Sequence, residues 1–396
     1  MLAALRELSP SAIYMGVLAA FVGYSASFAI VLAGISGIGA TEAQAATGLF
    51  FATLAMGVCS IWLPLVTRIP AAVAWSTPGA AFLASSAALP GGFAEAVGAF
   101  ILCAGLIILT GLVPGLGRLV AVIPKPLANA LLAGVLFRLC IAPALALGTA
   151  PALIVPVLAA WLAGLMWHRL AAMPLAVLAF IAVLLVTAEM PSDPQAMDRA
   201  FLPAMSVVAP QFTLEGFVSI ALPLYLITMA GQNVPGFAVL ELHGYRVERG
   251  LLLRNTGLVS LAVAPFGAVP VNMSAIVAAM MSGEDAGRDP ARRYWAAIIN
   301  GLVLIVLAFF AGLVTQFAGL APTALVTGLA GLALIPSFVA AMKGTFGDTM
   351  AGTEAPALTF LIVASGMTLL GVSGAVWGFL VGVLVWVIQR ARARPI

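Results

Sequence analysis

Four short polar stretches interrupt an otherwise apolar chain of 396 residues. Their residue types suit hydrogen bonding to a small ligand rather than the making of bonds. Ser76, Thr77 and Gly79 lie in "AWSTPGAAFLASS", and Asn272, Met273 and Ser274 in "AVPVNMSAIVAAMMSG". Gln232 and Asn233 fall in "MAGQNVPGFAVL", Tyr24 and Ser27 in "GYSAS". A Ser or Thr before Pro is a helix start, because the hydroxyl caps and the ring fits the first turn. Residues 71–76 therefore read as extended and 78–86 as a half-helix, and Asn272, after Pro270, reads as the cap of a second half-helix to about 281. A helix N-terminus carries roughly half a positive charge and free N–H groups. Two of them facing one cavity would favour a carboxylate or another small anion.

Other chemistries find no support. His168 and His243 fall between apolar runs, and no Asp or Glu lies near the centre of one. Glu95, Glu189, Glu215 and Glu354 sit near run ends and read as solvated. Cys59, Cys103 and Cys140 lie inside apolar segments without a CxxC partner, so they read as packing residues. No catalytic residue, metal or cofactor is expected, since an intramembrane enzyme would need a buried nucleophile–base pair or a metal cluster. Arg138, in "GVLFRLCIAP", reads as a snorkelling side chain at the outer end of its span, with an outer gate or anion path as the alternative.

The elements that must position these residues are membrane spans. The chain is 63% hydrophobic and 8% charged, with a mean hydropathy of +1.17, which no soluble domain shares. Apolar runs place an all-α polytopic membrane protein in the bilayer. The expected spans are 12–33, 44–64, a short 71–86, 93–113, 124–142, 151–168 and 173–189, then 213–232, 250–266, a short 268–281, 293–315, 321–341, 355–371 and 373–391. Arg6 and Glu7 precede a first run too long for a signal-peptide core, so it reads as uncleaved. The polar interval 190–212 reads as a hinge between halves 12–190 and 212–392. The halves resemble each other: "VIPKPLANALLAG" aligns with "GLAPTALVTGLAG", and the second broken segment follows the first by about 195 residues.

Seven spans per half is an odd number, so the fourteen-span reading makes the second repeat inverted, a transporter architecture. Lys and Arg agree with cytoplasmic termini: fifteen fall in loops assigned inside, and only Arg138 and Arg199 outside. The net charge of +3 is thus a topology signal and implies no nucleic-acid partner. A lone Pro/Gly break is common in membrane helices, but two short broken segments at matching positions point to a binding site at the midplane. For a single Asn or Gln in a span, interhelical hydrogen bonding is an equal alternative, and for Tyr24 or Trp75 taken alone core packing or interfacial anchoring is the leading reading. Gly378 and Gly382 permit close helix approach and leave internal packing and a homodimer interface both open.

"AWSTPGAAFLA", "GQNVPGFAVL", "PFGAVPVNMSAI", "DPARRYWAAI" and "ASGMTLLGVSGAVWG" together resemble the BenE family of bacterial benzoate:proton symporters. That resemblance spans nearly the whole chain and implies the fold shared with uracil permeases and SulP-type anion transporters. It implies a core (12–113 and 213–315), a gate (124–189 and 321–391), elevator-like movement between them, and a bacterial inner-membrane location. The substrate would be a small aromatic carboxylate taken up with protons. Ser76, Thr77, Gln232 and Asn272 would hold its carboxylate, and Tyr24 and Trp75 would flank its ring. Ser27, Gly79, Asn233, Met273 and Ser274 complete the expected substrate-binding set. The carboxylates that nucleobase permeases carry in spans 8 and 10 fall here around Gly231-Gln232 and Asn272, which suits an anionic ligand but leaves the proton without a carrier. The sequence ends at "RARARPI" without the STAS domain usual in SulP transporters. An uncoupled anion channel or uniporter, or a nucleobase:cation symporter, would use the same fold.

Overall fold

The structure is a computed structural model that describes residues 8–25, 27–113, 115–116, 124–168, 171–187, 205–347, 353–369 and 372–392. The expected hinge at 190–212 therefore lies outside the described residues up to 204, as does Glu189. Eight helical stretches among the described residues are long and apolar enough to cross a membrane. The first expected span comprises two helices, α1 (Pro10–Ser25) and α2 (Phe28–Gly37). α3 (Glu42–Thr67) begins at a capping box in which Thr41 and Gln44 satisfy each other's backbone N–H. Then come β1 (Val73–Trp75), α4 (Thr77–Ser85) and α5 (Gly92–Leu112). The next group is α6 (Lys125–Cys140), α7 (Ala142–Thr149), α8 (Pro151–Trp167) and α9 (Ala172–Thr187).

The second half begins with α10 (Leu214–Leu242), which is longer than the expected 213–232. Pro235-Gly236 does not end it. A proline lacks an N–H and crowds the carbonyl four residues back, and α10 absorbs this by widening to π-helical turns at Phe217–Ala221 and Met229–Asn233. Those turns contain Ser219 and Gly231, the residues four before Pro223 and Pro235. α11 (Arg249–Val263), β2 (Val271–Met273) and α12 (Ala275–Ser282) follow. The expected span 293–315 is broken at Phe309-Phe310 into α13 (Tyr294–Ala308) and α14 (Ala311–Leu320). α15 (Thr323–Phe346), α16 (Glu354–Ser365), a short hairpin of β3 (Thr368–Leu369) and β4 (Val372–Ser373), and α17 (Gly374–Arg392) complete the chain.

Small residues set the closest packing. α13 lies along α3 and α1, and α11 along α5; separately, α6 packs on α15 and α16, and α16 on α17. Where α3 meets α13, a Cβ on Gly301 would sit 2.6 Å from the Gly57 carbonyl oxygen, so only glycine allows that approach. Gly378 and Gly382 are used inside the chain, against Val363 and Thr359 of α16.

Glu95 corrects the expectation of solvated carboxylates, being 2% exposed. Its carboxylate accepts from the Gly91 N–H at 2.8 Å and from the Thr213 hydroxyl. Thr213 in turn caps α10 through the Gly216 N–H at 2.9 Å. One carboxylate thereby joins two helix N-termini, where negative charge is favoured. Arg138 is exposed, as a snorkelling side chain would be, and its Nη1 donates to the Ser85 carbonyl at the end of α4 at 3.4 Å.

Candidate functional site

The two broken segments meet. β1 and β2 form an antiparallel pair with Val73 opposite Met273, Ala74 opposite Asn272, and Trp75 opposite Val271. Each strand is pinned to a flanking helix by a serine. The Val73 N–H donates to Ser60 Oγ of α3 at 3.1 Å, and the Val271 N–H to Ser260 Oγ of α11 at 2.9 Å. From this crossing α4 and α12 start, so their N-termini arise on either side of one short ladder.

The caps are serines. Ser76 Oγ accepts from the Gly79 N–H at 3.1 Å and from the Thr228 hydroxyl at 2.9 Å. Ser274 Oγ accepts from the Val277 N–H at 3.3 Å. The expectation that Asn272 caps the second half-helix is corrected: Asn272 lies in β2, two residues before the cap. Its amide, oriented to satisfy both neighbours, accepts from the Ser76 N–H at 2.8 Å and donates to the Met273 carbonyl at 2.9 Å. Asn233 completes this bracing, its Oδ1 accepting from the Met273 N–H at 3.0 Å.

A small cavity of about 80 Å³ opens beside the crossing. Of the residues expected from sequence, Tyr24, Ser27, Trp75, Thr77, Gln232 and Ser274 line it. Ser76, Gly79, Asn233, Asn272 and Met273 are packed behind the wall and shape the crossing. A Cβ on Gly79 would meet Leu224 Cδ1 at 2.6 Å, so its role is to let α4 approach α10. Two polar side chains of the wall are additional, Asn300 of α13 and Ser337 of α15. Asn300 is a single polar residue in the apolar run "YWAAIINGLVLIVLA", and such an intramembrane amide is a sequence-level pointer.

One side of the cavity is aromatic. The Tyr24 and Trp75 ring centroids are 5.5 Å apart at 49°, and Tyr24 stacks on Phe28 at 5.8 Å. Trp75 Nε1 donates to Ser27 Oγ at 2.7 Å, and the Ser27 hydroxyl passes its own proton to the Gly23 carbonyl at 2.8 Å. No Asp, Glu, Lys, Arg or His is among the described residues of the wall. The arrangement can therefore clasp an aromatic ring and hydrogen-bond a small polar group, and offers no nucleophile, general base or metal ligand set. A second cavity, of about 320 Å³ between α1, α9 and α14, shares Tyr24 with the first; apart from Tyr24 and Ser25 its described walls are apolar, with Phe180, Leu184 and Phe317 among them.

Residues 6–388 match the family model described as BenE, benzoate membrane transport protein. The inner membrane protein YdcO of Escherichia coli is 34% identical over 391 residues, covering 98% of both chains. The benzoate membrane transport protein of Acinetobacter baylyi is 29% identical, covering 97% of this chain and 96% of its own. Among solved structures, the transmembrane domain of a cyanobacterial bicarbonate transporter, BicA, shares the fold with a TM-score of 0.61 at 17% identity, over 96% of this chain and 97% of that one. The expected family is thus confirmed over nearly the whole chain, which is a polytopic helical membrane protein built for transport and not an enzyme. The chain belongs to the BenE family of benzoate membrane transport proteins.

Proposed function

We propose that the protein imports benzoate or a related aromatic carboxylic acid together with protons, across the bacterial inner membrane. The observation that carries this reading is the pairing, in one cavity, of an aromatic wall with two half-helix N-termini. The ring would lie against Trp75 and the ring of Tyr24, and the carboxyl group toward the polar part of the wall, which includes Thr77, Ser274 and Asn300. The architecture we assign is fourteen spans in two inverted repeats, with core 12–113 and 213–315 and gate 124–189 and 321–391. Elevator-like travel of the core against the gate fits the separate packing of α1, α3 and α13 from α6, α15 and α16. An inner-membrane location is in keeping with the name of the Escherichia coli relative.

The test is a thermal-shift screen of the purified protein against aromatic acids, nucleobases and inorganic anions, since a ligand that binds only the folded state stabilises it. Aromatic acids are expected to raise the melting temperature and the other classes to leave it unchanged. Stabilisation by a nucleobase or bicarbonate alone would overturn the reading. The absence of acidic and basic groups from the described wall favours, as second reading, an uncoupled uniporter. In proteoliposomes that alternative predicts uptake indifferent to an imposed pH gradient, whereas the symporter accumulates substrate against its own gradient.

Orientation has its own test. With both termini cytoplasmic, the α4–α5 loop faces the periplasm and the α12–α13 loop the cytoplasm. Ala88→Cys is expected to react with an impermeant thiol reagent in intact cells, and Arg288→Cys only after lysis. The opposite pattern would invert the assignment.

A further inference from the structure

The protonation state of the bound acid can be read from the wall of the cavity. We propose that the aromatic acid is held in its neutral, protonated form, the Tyr24 hydroxyl donating to the carboxyl C=O and Asn300 Oδ1 accepting from its O–H, so that the symported proton travels on the substrate. This rests on the transport reading above and specifies its chemistry.

Charge comes first. Tyr24 is the only ionisable side chain among the described wall residues, which come from α1, α3, β1, α4, α10, α12, α13 and α15 and from Ser27 and Ser274. Charged residues on the same helices sit at their ends: Glu42 and Arg68 flank α3, Glu215 and Glu241 lie in the first and last turns of α10, Arg293 precedes α13, and Lys343 ends α15. A carboxylate buried without a counter-charge is costly, and such a group neutralises itself by taking a proton. The half-helices offset this only in part. Ser76 and Ser274 already occupy the Gly79 and Val277 N–H groups, and Pro78 has none to give.

Hydrogen-bond complementarity comes second. Tyr24 is 7% exposed and Asn300 1% exposed. Neither the Tyr24 hydroxyl nor Asn300 Oδ1 has a hydrogen-bond partner, although buried polar atoms are nearly always paired. Both residues border the cavity, on helices α1 and α13 that run together closely enough for a Cβ on Gly16 to lie 2.5 Å from the Ala296 carbonyl oxygen. One orphan can donate and the other accepts. A protonated carboxyl group presents one acceptor and one donor, and so satisfies both. A carboxylate presents acceptors only and would leave Asn300 Oδ1 unpaired; an anion requires the Asn300 amide turned the other way round.

The proton balance is simple. A carboxylate takes a proton outside, the O–H bond persists through the crossing, and it breaks on release inside. One proton accompanies each substrate, net charge moved is zero, and no protein group has to titrate.

The test is calorimetric binding of benzoate and of benzamide, its neutral isostere with one C=O and an N–H donor, to the purified protein from pH 5.5 to 8. Above a carboxyl pKa near about 4 the acid fraction falls tenfold per pH unit. The apparent Kd for benzoate is expected to rise tenfold per unit across the whole range, while the Kd for benzamide stays constant. Asn300→Leu is expected to weaken both ligands at least tenfold at unchanged melting temperature. A benzoate affinity that is flat with pH, with benzamide failing to bind, would overturn the proposal in favour of a bound carboxylate. A pH dependence that levels off at one pH for benzoate and for a more acidic nitrobenzoate would overturn it in favour of a titrating protein group. Failure of both ligands to bind at any pH would instead remove the aromatic-acid reading itself.

Discussion

Trp75→Ala is expected to leave no measurable benzoate binding and to destabilise the protein by about 3–5 kcal/mol, the usual cost of truncating a buried large aromatic. The indole is 1% exposed, fills the space between Tyr24 and the strand crossing, and ties α1 to β1 through Ser27. Removing it takes away one wall of the cavity and frees Ser27 and Tyr24 to collapse into the gap. Trp75→Phe separates the two losses. It keeps most of the apolar volume and gives up one hydrogen bond, about 1 kcal/mol, so this variant should fold and bind more weakly. Calorimetric binding and thermal unfolding of both variants make the measurement. An alanine variant that melts like the parent and binds benzoate within a few fold would remove Trp75 from the site.

Asn272→Asp should act on the fold and not on the ligand. The side chain is fully buried and bridges the Ser76 N–H and the Met273 carbonyl. An ionised Asp still accepts from Ser76, but its second oxygen faces the Met273 carbonyl with no donor between them. An uncompensated charge of this kind, with no cation in the wall nearby, costs about 3–5 kcal/mol. The variant is therefore expected to melt well below the parent and to lose binding together with the crossing. Had Asn272 faced the ligand, as the sequence suggested, binding would be lost at an unchanged melting temperature. That second pattern, found experimentally, would mean that the crossing is braced by something other than this amide.

The comparison of these two residues shows what a sequence carries and what it withholds. Ser76-Thr77-Pro78-Gly79 specifies a capped helix start by local chemistry alone, and the helix does begin at Thr77. In the second half the local signals compete. Asn272 and Ser274 are both good caps, and the choice falls to the pairing of β1 with β2, a contact between residues about 200 apart in sequence. Glu95 looked solvated because its partner Thr213 lies 118 residues away. Asn300 was passed over because nothing within its own apolar run marks the side that meets α1. Pro235-Gly236 reads as a helix end unless the preceding turn can widen, and a π-helical turn leaves little trace in composition. Apolar run length, by contrast, is set by bilayer thickness, and the bounds of most long helices among the described residues were legible within a few residues.

The three-residue ladder between β1 and β2 also governs how relatives of this chain are free to vary. Loops on the membrane surface tolerate gain or loss of a residue, because nothing beyond them has to stay in phase. A strand has a repeat of two, so losing one residue between Ile69 and Trp75 would turn each following side chain to the opposite face. Trp75 would leave the cavity, and the serine that starts α4 would miss its place. Descent with substitution is open to this segment, while descent with insertion or deletion is closed. In this family, the six or seven residues that lead into the crossing should hold their spacing as rigidly as a reading frame.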